Sequence, residues 1–128
     1  MTLLSDLATI LSGWGLGTPA TDIFGGRMPN TPAVCISVET YAGMSPQYVA
    51  EQARPGYLRP SIQVLIRDTD YANAAARADL AFDALGSVRN SGNYLAIRPI
   101  QSPFYLRHDE NNRVLFAFNC DVLLKRSA

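Results

Sequence analysis

The sequence predicts an α+β fold: an antiparallel or mixed β-sheet with an N-terminal helix and a central helix packed on one face. Three observations carry this expectation. Apolar spacing reads, in chain order, as helix, two strands, helix, three strands. The last strands are separated by short polar turns, which join antiparallel neighbours. No strand–helix–strand unit recurs, and this argues against a doubly wound parallel sheet. The 128 residues are expected to form one domain spanning 1–128.

The first helix rests on Leu3, Leu4, Leu7, Ile10, Leu11 and Trp14, which recur at three- and four-residue spacing. Gly13-Trp14-Gly15-Leu16-Gly17 ends it, since repeated glycine raises the backbone entropy lost on ordering. The chain is then irregular to Pro32, with Ile23 and Phe24 as either a short strand or a buried anchor. Val34 to Thr40 alternates as a strand, Val34, Ile36 and Val38 against Cys35, Ser37 and Glu39. Tyr41 to Pro60 is far longer than the usual connection of about 4–6 residues, and reads as a functional arm, preferably an extended hairpin at about 41–60.

Ser61 to Arg67 alternates again. Asp68-Thr69-Asp70 supplies capping oxygens for a helix from about Tyr71 to Leu85, whose stripe is Tyr71, Ala74, Ala75, Ala78, Phe82 and Leu85. Gly86 is expected to stop it. Tyr94 to Ile100 is a strand, placed at an edge or ended by Pro99, which cannot donate to a ladder. Phe104–His108 and Arg113–Leu124 flank Asp109-Glu110-Asn111-Asn112 and read as a hairpin. The last strand sends Val114, Phe116, Phe118, Cys120, Val122 and Leu124 to one face.

Composition narrows the function. Apolar residues are 48% and charged residues 17%, so disorder is excluded by burial capacity. Eleven basic residues balance eleven acidic ones, which weighs against a polyanion-wrapping protein and removes the self-repulsion that separates monomers. Ten of the eleven basic residues are Arg, a residue enriched at interfaces, although coding bias gives the same excess. No apolar run reaches the roughly 20 residues that cross a bilayer, and the amino terminus lacks a basic secretory start. Cys35 and Cys120 are too few for a disulfide framework, so a reducing cytoplasm is the expected place of synthesis.

No motif reaches the standard of an active site, and no cofactor or metal is expected. His108-Asp109-Glu110 is the sole cluster of ligand types, but consecutive residues at a strand end point apart. Gly13-x-Gly15-x-Gly17 follows a helix where a phosphate cradle precedes one. Asp68 and Asp70 read as caps, and Asp79 and Asp83 as a solvated helix face. Arg54, Arg59 and Arg67 among Tyr48 and Tyr57 could stack on bases, yet Glu39, Glu51, Asp68 and Asp70 dilute that patch.

The stretch from Val38 to Phe118 resembles the tail-terminator and minor-capsid (tail completion) family of long-tailed bacteriophages. The residues that carry the likeness are Pro60-Ser61-Ile62-Gln63-Val64-Leu65-Ile66-Arg67, Tyr71-Ala72, Leu85, Tyr94, Ile97, Ser102-Pro103-Phe104 and Asp109-Glu110-Asn111-Asn112-Arg113. The likeness implies a non-enzymatic virion protein assembled in the host cytoplasm. It implies a homo-oligomeric, commonly hexameric, ring at the head–tail junction that stops tail-tube polymerisation and receives the head connector. Partners would be the tube protein and neck proteins, with no membrane and no specific nucleic-acid binding, though DNA passes through the lumen. Expected interface residues are Met44, Tyr48, Arg54, Tyr57 and Arg59 on the arm, and Arg107 and Arg113 on the terminal hairpin. Other readings are a neck protein of adaptor or head-closure type, and a small ligand-binding α+β domain using His108, Asp109 and Glu110.

Overall fold

A computed structural model describes residues 3–48 and 55–125. The elements are α1 (Leu3–Gly13), β1 (Ile23–Gly25), β2 (Cys35–Tyr48), β3 (Pro55–Asp68), α2 (Tyr71–Gly86), β4 (Arg89–Ser91), β5 (Tyr94–Pro99), β6 (Phe104–His108) and β7 (Val114–Lys125). One mixed sheet runs β1-β2-β3-β7-β5-β4, with β6 also on β7. Among the named strands the β1–β2 pair is parallel and the others are antiparallel. β7 is long enough to hold two partners on one side, β6 along Val114–Ala117 and β5 along Cys120–Leu124.

Alternation decides which face is core. Ile36, Val38, Ile62, Val64, Ile66, Phe118, Cys120, Val122 and Ile97 are at most 1% exposed and lie under the two helices. Each large apolar side chain so enclosed contributes roughly 1.5–3 kcal/mol. α1 presses Leu7 and Leu11 onto this layer. α2 presents Ala74, Ala78, Ala81 and Ala84, all fully buried, so its backbone lies close to the sheet. Phe82 packs edge-on against Phe118, ring centroids 5.8 Å apart.

Three sequence expectations change. Trp14 lies past the end of α1 and is exposed, and Tyr71 at the start of α2 is 54% exposed, so neither belongs to a core stripe. The buried stripe of α2 includes Ala81 and Ala84 instead. Gly86 is the last helical residue and has no left-handed conformation: a Cβ there would meet Pro99 Cγ at 3.4 Å, and Ser87 caps the helix through its N–H to Asp83 O (3.1 Å). The short strand β4 has no counterpart in the sequence reading, while β1 takes the strand alternative for Ile23 and Phe24. β4 turns into β5 through Gly92, whose φ of 57° suits a tight hairpin.

The Asp70 side chain caps α2 by accepting from Asn73 N–H at 3.0 Å. Asp68 Oδ1 accepts from Thr69 N–H and Asp70 N–H, shaping the approach to the helix. β2 and β3 continue as a ladder past the rest of β1, to Tyr48↔Pro55, with irregularities after Thr40 and around Gln47.

Candidate assembly surfaces

The sheet's helix-free face is closed at one end by the segment from Arg27 to Val34. Arg67, 4% exposed, holds it: Nε donates to Ala33 O (3.1 Å), and Nη2 to Pro29 O (2.7 Å) and Pro32 O (2.6 Å). Arg113 does the same from β7's foot. Its Nε meets Asp109 Oδ2 at 2.8 Å, while Nη1 and Nη2 donate to Asn30 O and Asn30 Oδ1. Arg77 donates to Leu16 O and Arg89 to Gly86 O. Four of the arginines thus satisfy backbone carbonyls inside the chain, a use that composition could not separate from interface contact.

Between that segment and the β6–β7 hairpin lies a cleft of about 560 Å³, with Arg27, Arg67, Arg107 and Arg113 in its wall beside Asp109 and Glu110. Burial alone would raise the Asp109 carboxyl. The backbone and side-chain hydrogen bonds from Arg113, the Asn111 N–H and the guanidinium charge outweigh it and hold the group below its ordinary value. Asp109 also organises the turn: Oδ1 accepts from Asn111 N–H and Arg113 N–H, each at 2.9 Å, and Asn112 takes φ 61°. His108 is exposed and outside the cleft wall, its Nδ1 2.5 Å from Tyr105 Oη. His108, Asp109 and Glu110 therefore do not converge, and among the described residues no three His, Cys, Asp or Glu side chains could share a metal ion.

The glycine-rich segment after α1 is a loop that seats Leu16 in the core. Burial raises the Cys35 thiol against the lowering pull of Arg67, Arg113 and Arg77. Burial and Asp121 push Cys120 up to about 12. Both cysteines are free, buried thiols, not reactive ones.

The expected interface residues fall into two places. Met44, Tyr48, Tyr57 and Arg59 share the outer β2–β3 ladder, with Met44 opposite Arg59 and Tyr57 next along β3 to Lys125 of β7. Arg59 is half-buried and its Nε has no partner among the described residues. Arg54 lies outside the described residues. Arg107 and Arg113 sit at the far end of β7, roughly 35 Å away at about 3.3 Å per residue. Arg107 is exposed, whereas Arg113 is committed within the chain.

Sequence reasoning missed the apolar edge. Every residue of β6 is exposed, including Phe104 (36%), Tyr105 (42%) and Leu106 (39%), and Ile100 and Tyr71 are exposed beside it. The tyrosines stack, with Tyr71 5.7 Å from Tyr105 and 5.1 Å from Phe116 between ring centroids. The signal was present: three consecutive apolar residues in a strand of five cannot alternate inward.

The described residues form a small α+β protein with one sheet face under two helices, the other face closed at one end, and apolar side chains exposed along β6. A family model for bacteriophage tail terminator proteins matches residues 10–126, and the chain belongs to that family. It is therefore a structural protein of the phage tail, located in the virion tail and interacting with tail components. A solved structure 15% identical over 99% of both chains superposes with a TM-score of 0.55 and shares the fold. A crystal structure from Akkermansia muciniphila is 10% identical over 95% of this chain and 49% of that one, with a TM-score of 0.45. No curated protein matches. No helix among the described residues is long and apolar enough to cross a membrane.

Proposed function

We propose that the chain is the subunit of a homo-oligomeric, hexameric ring that caps the head-proximal end of the tail tube. The ring stops tube polymerisation and presents the surface on which the head connector or neck proteins dock, with DNA passing through its lumen. The observation that carries this reading is the family match over residues 10–126. The surface supports it: apolar side chains are exposed along a sheet edge, as in a protein that completes its burial by association. A repeated heterologous contact converts such an edge into a closed assembly.

Within this reading Met44, Tyr48, Arg54, Tyr57 and Arg59 form one contact region at the hairpin end, and Arg107 a second at the opposite end, where Arg113 acts by holding the turn through Asp109 and Asn30. The chemistry is non-enzymatic: binding and shape do the work, with no group called on to react.

The test is polymerisation of purified tube protein with and without this chain, read by negative-stain microscopy, with mass photometry of the chain alone and after tube addition. Short tubes ending in a ring, and a hexamer mass, are expected. A chain that stays monomeric and leaves tube length unchanged overturns the reading. Tyr57→Asp is expected to keep the melting transition and weaken assembly; normal assembly removes the hairpin end from the interface.

A further inference from the structure

The outermost strands of the sheet, β1 and β4, are three residues each, and beside them longer strand edges stay open on both sides. β6 pairs only with β7, so its outer backbone groups face solvent along Phe104–His108. On the other side, β1 covers β2 only from Ile36 to Val38, with Gly26 N–H closing on Val38 O. From Glu39 onward the outer edge of β2 has no partner strand among the described residues. An exposed apolar edge strand is a template for another strand. β6 is such an edge, and the backbone of β2 beyond Val38, without a partner strand on its outer side among the described residues, offers it a complementary ladder, so copies fit head to tail.

Direction and charge agree. β2 and β6 run opposite to each other within the chain, since β2–β3, β3–β7 and β7–β6 are all antiparallel. A rotation about an axis along the sheet preserves that sense, so the pairing between copies is antiparallel. Each strand carries one full charge, Glu39 on β2 and Arg107 on β6. Both lie on the helix-free face, Glu39 in alternation with Cys35 and Ser37, and Arg107 in register with Leu115, Arg67 and Cys35. Neither side chain makes a hydrogen bond or ion pair to a described residue.

We propose that β6 of one copy adds antiparallel to β2 of the next copy from Glu39 onward, setting Arg107 beside Glu39 and continuing the sheet around the ring. Arg107 is level with Cys35 inside its own chain, so this register staggers successive copies by at least four residues. That is about 13 Å along the strands against about 19 Å across four strand spacings. A ring with no rise then tilts its strands by about 35°, the lower limit of the range for closed sheets. The proposal rests on the ring reading and names its interface.

The experiment is charge reversal with mass photometry, in the presence of tube protein. Glu39→Arg and Arg107→Glu are each expected to raise the half-assembly concentration on the order of tenfold, and the double variant to recover it. In parallel, Glu39→Cys with Arg107→Cys in one chain is treated with a short bis-maleimide. The native thiols are buried, so a ladder of linked chains on a denaturing gel reports the new pair. Thermal melts check that each variant folds. Rings from the wild type with no effect of either reversal and no ladder overturn the edge pairing and leave the ring reading standing. A wild type that stays monomeric overturns both.

Discussion

Replacing Arg67 by methionine removes the guanidinium that ties the 29–33 segment to β3 while keeping the aliphatic stem. Three hydrogen bonds to carbonyls are lost, and bonds from a charged donor contribute about 1.5–3 kcal/mol each. Two effects reduce the total. The guanidinium is buried without a carboxylate partner, so its desolvation cost disappears with it. Pro29 and Ala33 are only half-buried and Pro32 is exposed, so water replaces part of what the carbonyls lose. The net destabilisation is about 2–4 kcal/mol. A chain of 128 residues has an unfolding entropy of about 0.27 kcal/mol/K, so the melting temperature falls by roughly 7–15 °C. Arg67→Lys separates charge from geometry, because one ammonium cannot span three carbonyls. Differential scanning calorimetry reads both variants. A methionine variant within about 2 °C of wild type, or a lysine variant equal to it, refutes the account of Arg67 as a three-point clasp.

Asp70→Ala removes the α2 cap and is expected to cost about 1 kcal/mol by urea denaturation, whereas Asp79→Ala on the exposed face of the same helix changes stability by less than about 0.5 kcal/mol. Asp109 has a depressed folded-state value, so its contribution is complete above the ordinary 3.8 and fades as pH falls through the lower folded value. Wild type and Asp109→Asn should therefore differ in stability at neutral pH and converge in acid; a gap that widens in acid would contradict the assignment. Phe118→Ala empties a fully buried site against Phe82 and should cost about 3–5 kcal/mol by the same denaturation assay.

Periodicity was most informative where one face is buried and the other is not. Ile62–Ile66 and Phe118–Val122 alternate in burial because a helix layer covers one side only there, whereas Val114–Phe118 is buried on both faces, and the Asp109–Asn112 turn was legible because its polar side chains close it. α2 was harder. Alanines at 72, 74, 75, 76, 78, 81 and 84 supply no contrast between faces, so the stripe drifted onto Tyr71 and missed Ala81 and Ala84. Arg67 reads as the last residue of a strand and one of three arginines near Tyr48 and Tyr57, since nothing local announces that a segment more than thirty residues earlier folds over it. Of the expected contact residues, sequence could group those near the hairpin, but the distance between that group and Arg107 depends on β7 being a single straight connection between them.

The two helices cover one sheet face and the Arg67-anchored segment closes one end of the other, and the proposed pairing accordingly uses the edges. Docking through the helix-covered face would require prising off α1 or α2, each with several fully buried side chains. Docking through the other face meets a segment pinned by two arginines. Of the large hydrophobic side chains exposed among the described residues, all but Trp14 and Leu80 gather at β6, Ile100 and Tyr71, along one margin. On the proposed pairing that margin is consumed by the next copy. A ring closed in this way uses up the outer edge of β6 and that of β2 beyond Val38, while the three-residue strands β1 and β4 keep their outer edges. On the proposed pairing the two longer complementary edges are satisfied within the ring, so no subunit is left with one of them to recruit a further copy in the plane.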